Sequence, residues 1–195
     1  MNKAALTRQA ILRKSFEIIY RKGYQSTSID EIIATMQVTK GAFFYHFKNK
    51  EEMGLSLIKE VMLPNMHAIF IEPLTATADP LSVIYEMING LLSDIIFFDV
   101  RYGCPAMNLV EEMAPISESF CEQLNFLVKE WQIAIENCLE EGKKTGVVNL
   151  DTHVKQVALF ITSGYAGIRN AGKIFGIEAY TCYLKELKRY LDQLR

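Results

Sequence analysis

Apolar positions recur at helical spacing along most of the chain. Leu12, Phe16, Ile19 and Tyr20 share one face while Arg8, Arg13, Lys14 and Arg21 take others, which predicts an amphipathic helix from about Thr7 to Lys22. Arg21 and Lys22 sit in its last turn, where positive charge suits the helix dipole, and Gly23 is the expected stop. Ser28 followed by Glu31 fits a capping box, although Thr27 with Asp30 fits nearly as well. A short helix is predicted from there to about Met36, with Ile29, Ile32 and Ile33 as its inner side and Ala34 small enough to admit a neighbour. Gln37 and Val38 make a tight connection. Thr39 can then cap a second short helix that includes Gly41 to Phe47. Two short helices joined so closely read as a helix-turn-helix.

Asn49, with Glu52 three residues on, starts the next helix, and Pro64 is expected to kink or end it. The segment "PLTATADP" at 73–80 reads as a loop, and "DPLSVIYEMINGLLSDIIFF" as an apolar helix broken around Gly103 and Pro105. Further helices are predicted at about Ile116–Lys144, Thr152–Lys173 and Glu178–Leu194. The fold class is therefore all-α. With 195 residues, half of them hydrophobic, the chain can bury a sizeable core, and its 11 glycines and 5 prolines are too few for a turn-rich β fold.

The net charge of −2 hides an asymmetry. Residues 1–50 carry nine Lys/Arg against three Asp/Glu, a local charge of +6, whereas the rest sums to −8. A basic first quarter on an acidic body points to nucleic acid or another anionic surface. Cys104, Cys121, Cys138 and Cys182 show neither metal-ligand nor disulfide spacing, so reduced thiols, no metal and no cofactor are expected. Cys104 is a weak candidate for a redox sensor. No apolar run approaches the ~20 residues of a membrane span, and the charged N-terminus lacks a signal-peptide core, so a cytoplasmic protein is expected. His67 and His153 are isolated, and no nucleophile–base spacing or Gly-rich phosphate loop occurs, which argues against catalytic residues and an enzyme.

A recognition helix turns its N-terminal residues to base edges. Here those are Thr39, Lys40, Gly41 and Ala42: a hydroxyl, a donor to guanine, a point of close backbone approach and a methyl for thymine. Tyr45, His46, Lys48 and Lys50 would lie along the flanking backbone, and Thr27 or Ser28 could add a phosphate contact through hydroxyl and backbone N–H. Phe43 and Phe47, at i and i+4, are expected in the core.

The segment "TSIDEIIATMQVTKGAFFYHFKNKEEM" closely resembles the signature of the tetracycline-repressor (TetR) family. Val38, Thr39, Lys40 and Gly41 fall on its turn into the recognition helix, His46 and Phe47 on its H-F pair, and Lys50, Glu51 and Glu52 on its closing charges. The likeness runs to about residue 55, and "GCPAMNLVEEM" looks like a segment common in the ligand domains of many members. Phe44 departs from the pattern, standing where many members carry a tyrosine whose hydroxyl reaches DNA; an apolar contact with a thymine methyl stays open to it. The resemblance implies a homodimer with a three-helix DNA-binding domain over 1–50 and a helical effector-binding and dimerisation domain over 51–195. It implies a palindromic double-stranded operator, a small-molecule effector, and in most members a repressor released when the effector binds. An activator on the same fold is indistinguishable by sequence. A helical hydrophobe-binding protein that ignores DNA is disfavoured by the basic N-terminal segment.

The last two helices are the candidate dimer face. Leu184, Leu187, Leu191 and Leu194 form a stripe, and Ser163, Gly164, Ala166, Gly167 and Ala171 are small enough to permit close helix approach. Effector sites between helices are mostly apolar with a few placed polar groups. Phe97 and Phe98 at the end of the apolar helix and Tyr102 and Cys104 in the break after it are candidates, with Met107 and Asn108 just beyond. Trp131, Tyr165 and Arg169 are candidates from the later helices, and Arg169, on a mostly apolar helix, needs an acidic side chain or an anionic ligand as partner.

Overall fold

The computed structural model describes residues 2–36, 38–75, 78–94 and 98–195, and these contain helices and turns with no strand. Helix α1 spans Lys3–Lys22, starting earlier than its apolar spacing indicates, because Asn2 caps it by accepting from the Ala5 N–H at 2.8 Å. It ends at Gly23, whose φ of +89° favours glycine. A methyl group there would also lie 2.7 Å from the Glu112 carboxylate.

Helix α2 (Ile29–Ala34) and helix α3 (Lys40–His46) follow, then α4 (Lys50–Leu57). The Asn49 side chain accepts from Glu52 N–H at 2.8 Å, and the Glu52 carboxylate accepts from Lys48 N–H at 2.8 Å, so the start of α4 is capped from both directions. Of the kink or end expected at Pro64, the structure shows no end: the helical path continues with its winding changed on either side of the proline. A π turn at Ile58–Met62 leads into α5 (Leu63–Met66), a second π turn at His67–Ile71 and a 3₁₀ turn at Glu72–Leu74. Proline removes one N–H and crowds the carbonyl four residues back. Widening the preceding turn keeps bonds in place, and Leu63 N–H reaches back to Ile58 O.

Helix α6 (Pro80–Ser93) is capped by Asp79, which accepts from Ser82 N–H at 3.2 Å. It stops at Ser93, short of the apolar run that follows. Helix α7 (Pro105–Met113) is an element that sequence reading missed. Gly103 and Pro105 look like a break, yet proline is favoured at the first position of a helix. Helices α8 (Glu118–Lys144), α9 (Val154–Phe175) and α10 (Ile177–Asp192) complete the chain close to their expected bounds.

The described chain forms two compact units. The first comprises residues 1–65 and 105–126. Its core contains Ile11, Leu12 and Ile19 of α1, Ile32 of α2, Phe43 of α3, Phe47, and Met53 and Leu57 of α4, all buried. Arg8 draws three segments together within it. Its guanidinium donates to His46 O at 2.8 Å, to Ser56 Oγ at 2.9 Å and to the Glu60 carboxylate, and lies 4.3 Å from the centre of the Phe47 ring. Glu112 of α7 accepts from the Tyr24 N–H at 2.6 Å and the Gln25 N–H at 3.2 Å, filling the turn after α1. Burial first, then the Glu51 and Glu112 carboxylates, push the Tyr24 phenol far up, so it stays neutral.

The second unit comprises residues 66–104 and 127–195. Ile84 and Ile88 of α6, Trp131 and Ile135 of α8, Ile161 and Tyr165 of α9, and Tyr180, Leu187 and Leu191 of α10 are buried in it. Gly172 lets α9 lie against Tyr180; a methyl there would meet that ring at 2.4 Å. Burial raises the Cys138 thiol to about 11, so it behaves as a small apolar side chain.

Replacing Arg8 by Met keeps much of the packing on Phe47 but removes the guanidinium donor from the His46 carbonyl and leaves Glu60 with only Gln9 Nε2, at 3.3 Å. The expected cost is about 1–3 kcal/mol, read as a lower urea midpoint at unchanged slope.

Candidate nucleic-acid interface

Each short helix of the α2–α3 pair begins on a side-chain cap. Ser28 Oγ accepts from Glu31 N–H at 3.1 Å, and Thr39 Oγ1 accepts from Ala42 N–H at 3.2 Å. Phe43 and Phe47 point inward with their ring centres 5.5 Å apart. Their burial leaves the opposite side of α3 free. Thr39, Lys40 and Gly41 are exposed and Ala42 is half-buried. A methyl on Gly41 would find only Thr39 Oγ1, 4.0 Å away, so the backbone there lies open. Of the connection read at Gln37 and Val38, Gln37 lies outside the described residues.

An open cleft of about 420 Å³ is lined by Ser28, Asp30, Lys40, Phe44 and Lys50, with Thr27 at its back. Ser28 can still donate its hydroxyl proton outward. Thr27 is corrected: its side chain is 1% exposed and its hydroxyl donates to Gly23 O at 2.8 Å, so it stabilises the α1–α2 turn and offers no hydroxyl to a phosphate. Phe44 is 45% exposed and meets Phe43 edge-to-face at 5.5 Å, half anchored and half presented. Tyr45 is 77% exposed and Lys48 is exposed. His46 is half-buried, 5.0 Å from Tyr45 between ring centres.

Two lysines have partners that sequence reading did not foresee. Lys40 Nζ pairs with Asp30 Oδ1 at 2.8 Å, and both groups are more than half exposed. Such a pair is weak and exchangeable, so it parks Lys40 without withholding it. Lys50 Nζ donates to Gln25 O at 3.3 Å and lies 4.4 Å from the centre of the Tyr24 ring. Burial lowers its pKa, against an opposing pull from the Glu112 carboxylate. Lys50 therefore supports the turn as well as facing the cleft. Arg8 and Glu112, which hold α1, α3, α4 and α7 in place, escaped the sequence reading. Their partners lie 38 and 88 residues away, beyond any local pattern.

The effector candidates divide between the units. Met107 and Asn108 lie in α7 of the first, where Asn108 borders a small cavity with Phe16, Leu57 and Glu112. Phe97 lies outside the described residues. In the second unit Trp131 and Tyr165 are 5.3 Å apart edge-to-face, and Phe70 meets both at 4.9 and 5.8 Å. Arg169 lies 5.3 Å from the Phe98 ring and 5.6 Å from Tyr180. Cys104 is buried, and after burial its thiol is the next influence raising the Tyr165 phenol. Tyr102 is half-buried beside Arg101, whose guanidinium carbon is 5.3 Å from its ring.

The dimer candidates are corrected in part. Leu187 and Leu191 are buried within the subunit, Leu184 is half-buried, and Gly164 receives the Tyr183 side chain, so the leucine stripe packs α10 internally. Gly167 faces open space. The exposed apolar residues nearby are Leu159, Phe160, Ile174, Phe175 and Ile177.

Capped helices around a short turn, an inward aromatic pair and an outward basic, hydroxyl-bearing edge define a helix-turn-helix DNA-binding protein. Residues 11–57 match the family described as bacterial regulatory proteins, tetR family, and residues 87–184 match the tetracyclin repressor-like C-terminal domain. The chain belongs to the TetR family of bacterial transcriptional regulators, DNA-binding transcription factors rather than enzymes. A regulator from the lacX 3′ region of Lactococcus lactis is 32% identical over 126 residues, 65% of this chain and 64% of its own length. The repressor DhaR of a Mycobacterium species is 23% identical over 82% of this chain and 79% of its own. Among solved structures, a TetR regulator of Chloroflexus aurantiacus superposes with a TM-score of 0.88 at 21% identity, covering 99% of this chain and 98% of its own. No described helix is long and apolar enough to cross a membrane.

Asp30 places a negative charge in the cleft and occupies Lys40. Asp30→Asn is expected to tighten binding to duplex DNA about two- to tenfold at low salt, with the gain shrinking as salt rises. Fluorescence anisotropy across a salt series measures it, and unchanged affinity would contradict an interface here.

Proposed function

We propose that this protein is a ligand-responsive regulator, specifically a cytoplasmic repressor that binds a palindromic operator as a homodimer and is released by a small molecule. The observation that carries the DNA end is the exposed edge Thr39–Ala42 above the buried pair Phe43 and Phe47. Thr39, Lys40, Gly41 and Ala42 read bases. Ser28, Phe44, Tyr45, His46, Lys48 and Lys50 meet the backbone or its margin. Thr27 contributes by holding the turn. Residues 1–50 supply the DNA-binding part and 51–195 the effector and dimer functions. A relative named as a repressor supports the direction of control.

The dimer forms through the apolar residues that α9 and the start of α10 leave uncovered, above all Leu159, Phe160 and Ile174, with Gly167 permitting close approach. Two-fold symmetry then sets the recognition helices one DNA turn apart, about 34–36 Å. The effector acts by binding the DNA-incompetent state more tightly. Linkage requires operator DNA to weaken effector binding by the same factor.

Mobility shifts with the DNA upstream of the gene test operator binding, and a reporter in a deletion strain tests the sign: a repressor's loss raises expression. Lys40→Ala should relax preference at one base position and cost roughly 1–3 kcal/mol there. The double change Leu159→Glu and Phe160→Glu should give a folded monomer in sedimentation experiments with strongly weakened operator binding; a dimer of unchanged strength would place the interface elsewhere.

A further inference from the structure

A guanidinium cannot shed its charge, so a buried arginine needs acceptors around it. Arg169 is 0% exposed. One of its donors reaches Gly103 O. Its Nε and Nη1 have no hydrogen-bond partner. Among the described residues no carboxylate forms an ion pair with it. Asp99, whose charge is felt at Tyr180, pairs with Arg101 at 2.6 Å. The rings of Phe98 and Tyr180 beside Arg169 stabilise a cation but supply no lone pairs in the ring plane.

The neighbours share the same shortage. The Tyr180 hydroxyl and Trp131 Nε1 are buried without a hydrogen-bond partner, and the buried Tyr165 hydroxyl has only the Cys104 thiol, a weak partner, beside it. Tyr165 links them: its ring touches Trp131, and its phenol feels Arg169, Cys104 and Tyr180. Arginine and indole N–H groups can only donate, and a phenol offers a donor as well. The cluster therefore holds a surplus of donors and one uncompensated positive charge. What complements it is a monoanion rich in acceptor oxygens. The nearest second cation is Lys173, whose side chain runs beside Gly103 and has an interaction of its own, so a monoanion matches the one guanidinium better than a phosphate dianion does. The edge-to-face trio of Phe70, Trp131 and Tyr165 adds an apolar aromatic wall next to it.

We propose that Arg169 is the anion-binding residue of the effector site and that the effector is a small carboxylic acid with an apolar body. Its carboxylate takes the free edge of the guanidinium, the Tyr165 and Tyr180 hydroxyls donate to it, and the body lies against Phe70 and Trp131. This rests on the reading of the second unit as effector-binding.

The chain has one tryptophan, Trp131, so its emission reports the site directly. Full-length protein without DNA is titrated with acetate, butyrate, hexanoate and benzoate, each beside its amide. The expected result is saturable change in Trp131 emission with a matching rise in melting temperature, favouring at least one acid over its amide about tenfold or more. Arg169→Met should fold without ligand and lose the preference for acid. If that variant does not melt cooperatively, Tyr180→Phe should keep the preference with affinity lowered a few-fold. Equal binding of acid and amide throughout, or no binding of any acid, overturns the proposal. A mobility shift on the same protein separates the two readings. Operator bound and released by the acid supports both. Acid bound with operator affinity unchanged overturns its role as effector, and operator binding absent while acid binds removes only the regulator reading.

Discussion

A seven-residue helix cannot hold itself together in water, and α3 has seven residues. Its position depends on burying Phe43 and Phe47, each worth about 1.5–3 kcal/mol against exposure. Thr39 satisfies a donor at its start and Arg8 reaches the His46 carbonyl at its end. With both ends and the inner face committed, the outer edge carries no stabilising duty and can present Lys40 and Gly41. The helix is thus held by Phe43, Phe47 and Arg8, which lie outside the proposed DNA-contacting edge, and by Thr39, which caps it and also belongs to that edge.

The two buried or half-buried arginines show how one side chain serves opposite ends. Arg8 is matched by acceptors on every side, from Glu60, Ser56 and His46, and it fastens the first unit. Arg169 is under-supplied, with one carbonyl and two flanking rings. A saturated guanidinium is a structural tie. An unsaturated one in a dry setting is a poised binding group, because completing its hydrogen bonds is favourable only when a ligand brings the acceptors.

The turn after α1 shows a third arrangement. Gly23 adopts a positive φ, Glu112 caps the two N–H groups that follow, and Lys50 closes over Tyr24. This makes α7 part of the same compact unit as the helix-turn-helix, though residues 66–104 intervene before the chain returns to it. A residue chosen for phosphate contact, Lys50, proves to carry part of that turn, and Thr27 carries more of it.

Periodicity, caps and stop signals in the sequence by themselves determined the helical class, the helix-turn-helix and the inward role of Phe43 and Phe47, because those features are set by neighbours within one or two turns. The charge excess of residues 1–50 and the motif around Lys40 likewise marked the DNA-facing end. The tertiary structure alone decided what depends on distant partners. It showed that Pro64 is absorbed by a widened turn, that α7 exists, that Leu187 and Leu191 face inward, and that Thr27 is buried. It paired Lys40 with Asp30, Arg8 with Glu60 and Glu112 with the Tyr24 backbone. Whether a polar side chain is satisfied, exposed or left wanting a ligand is a property of its surroundings in space, and for Arg169 that shortage is visible only once the neighbouring helices are in place.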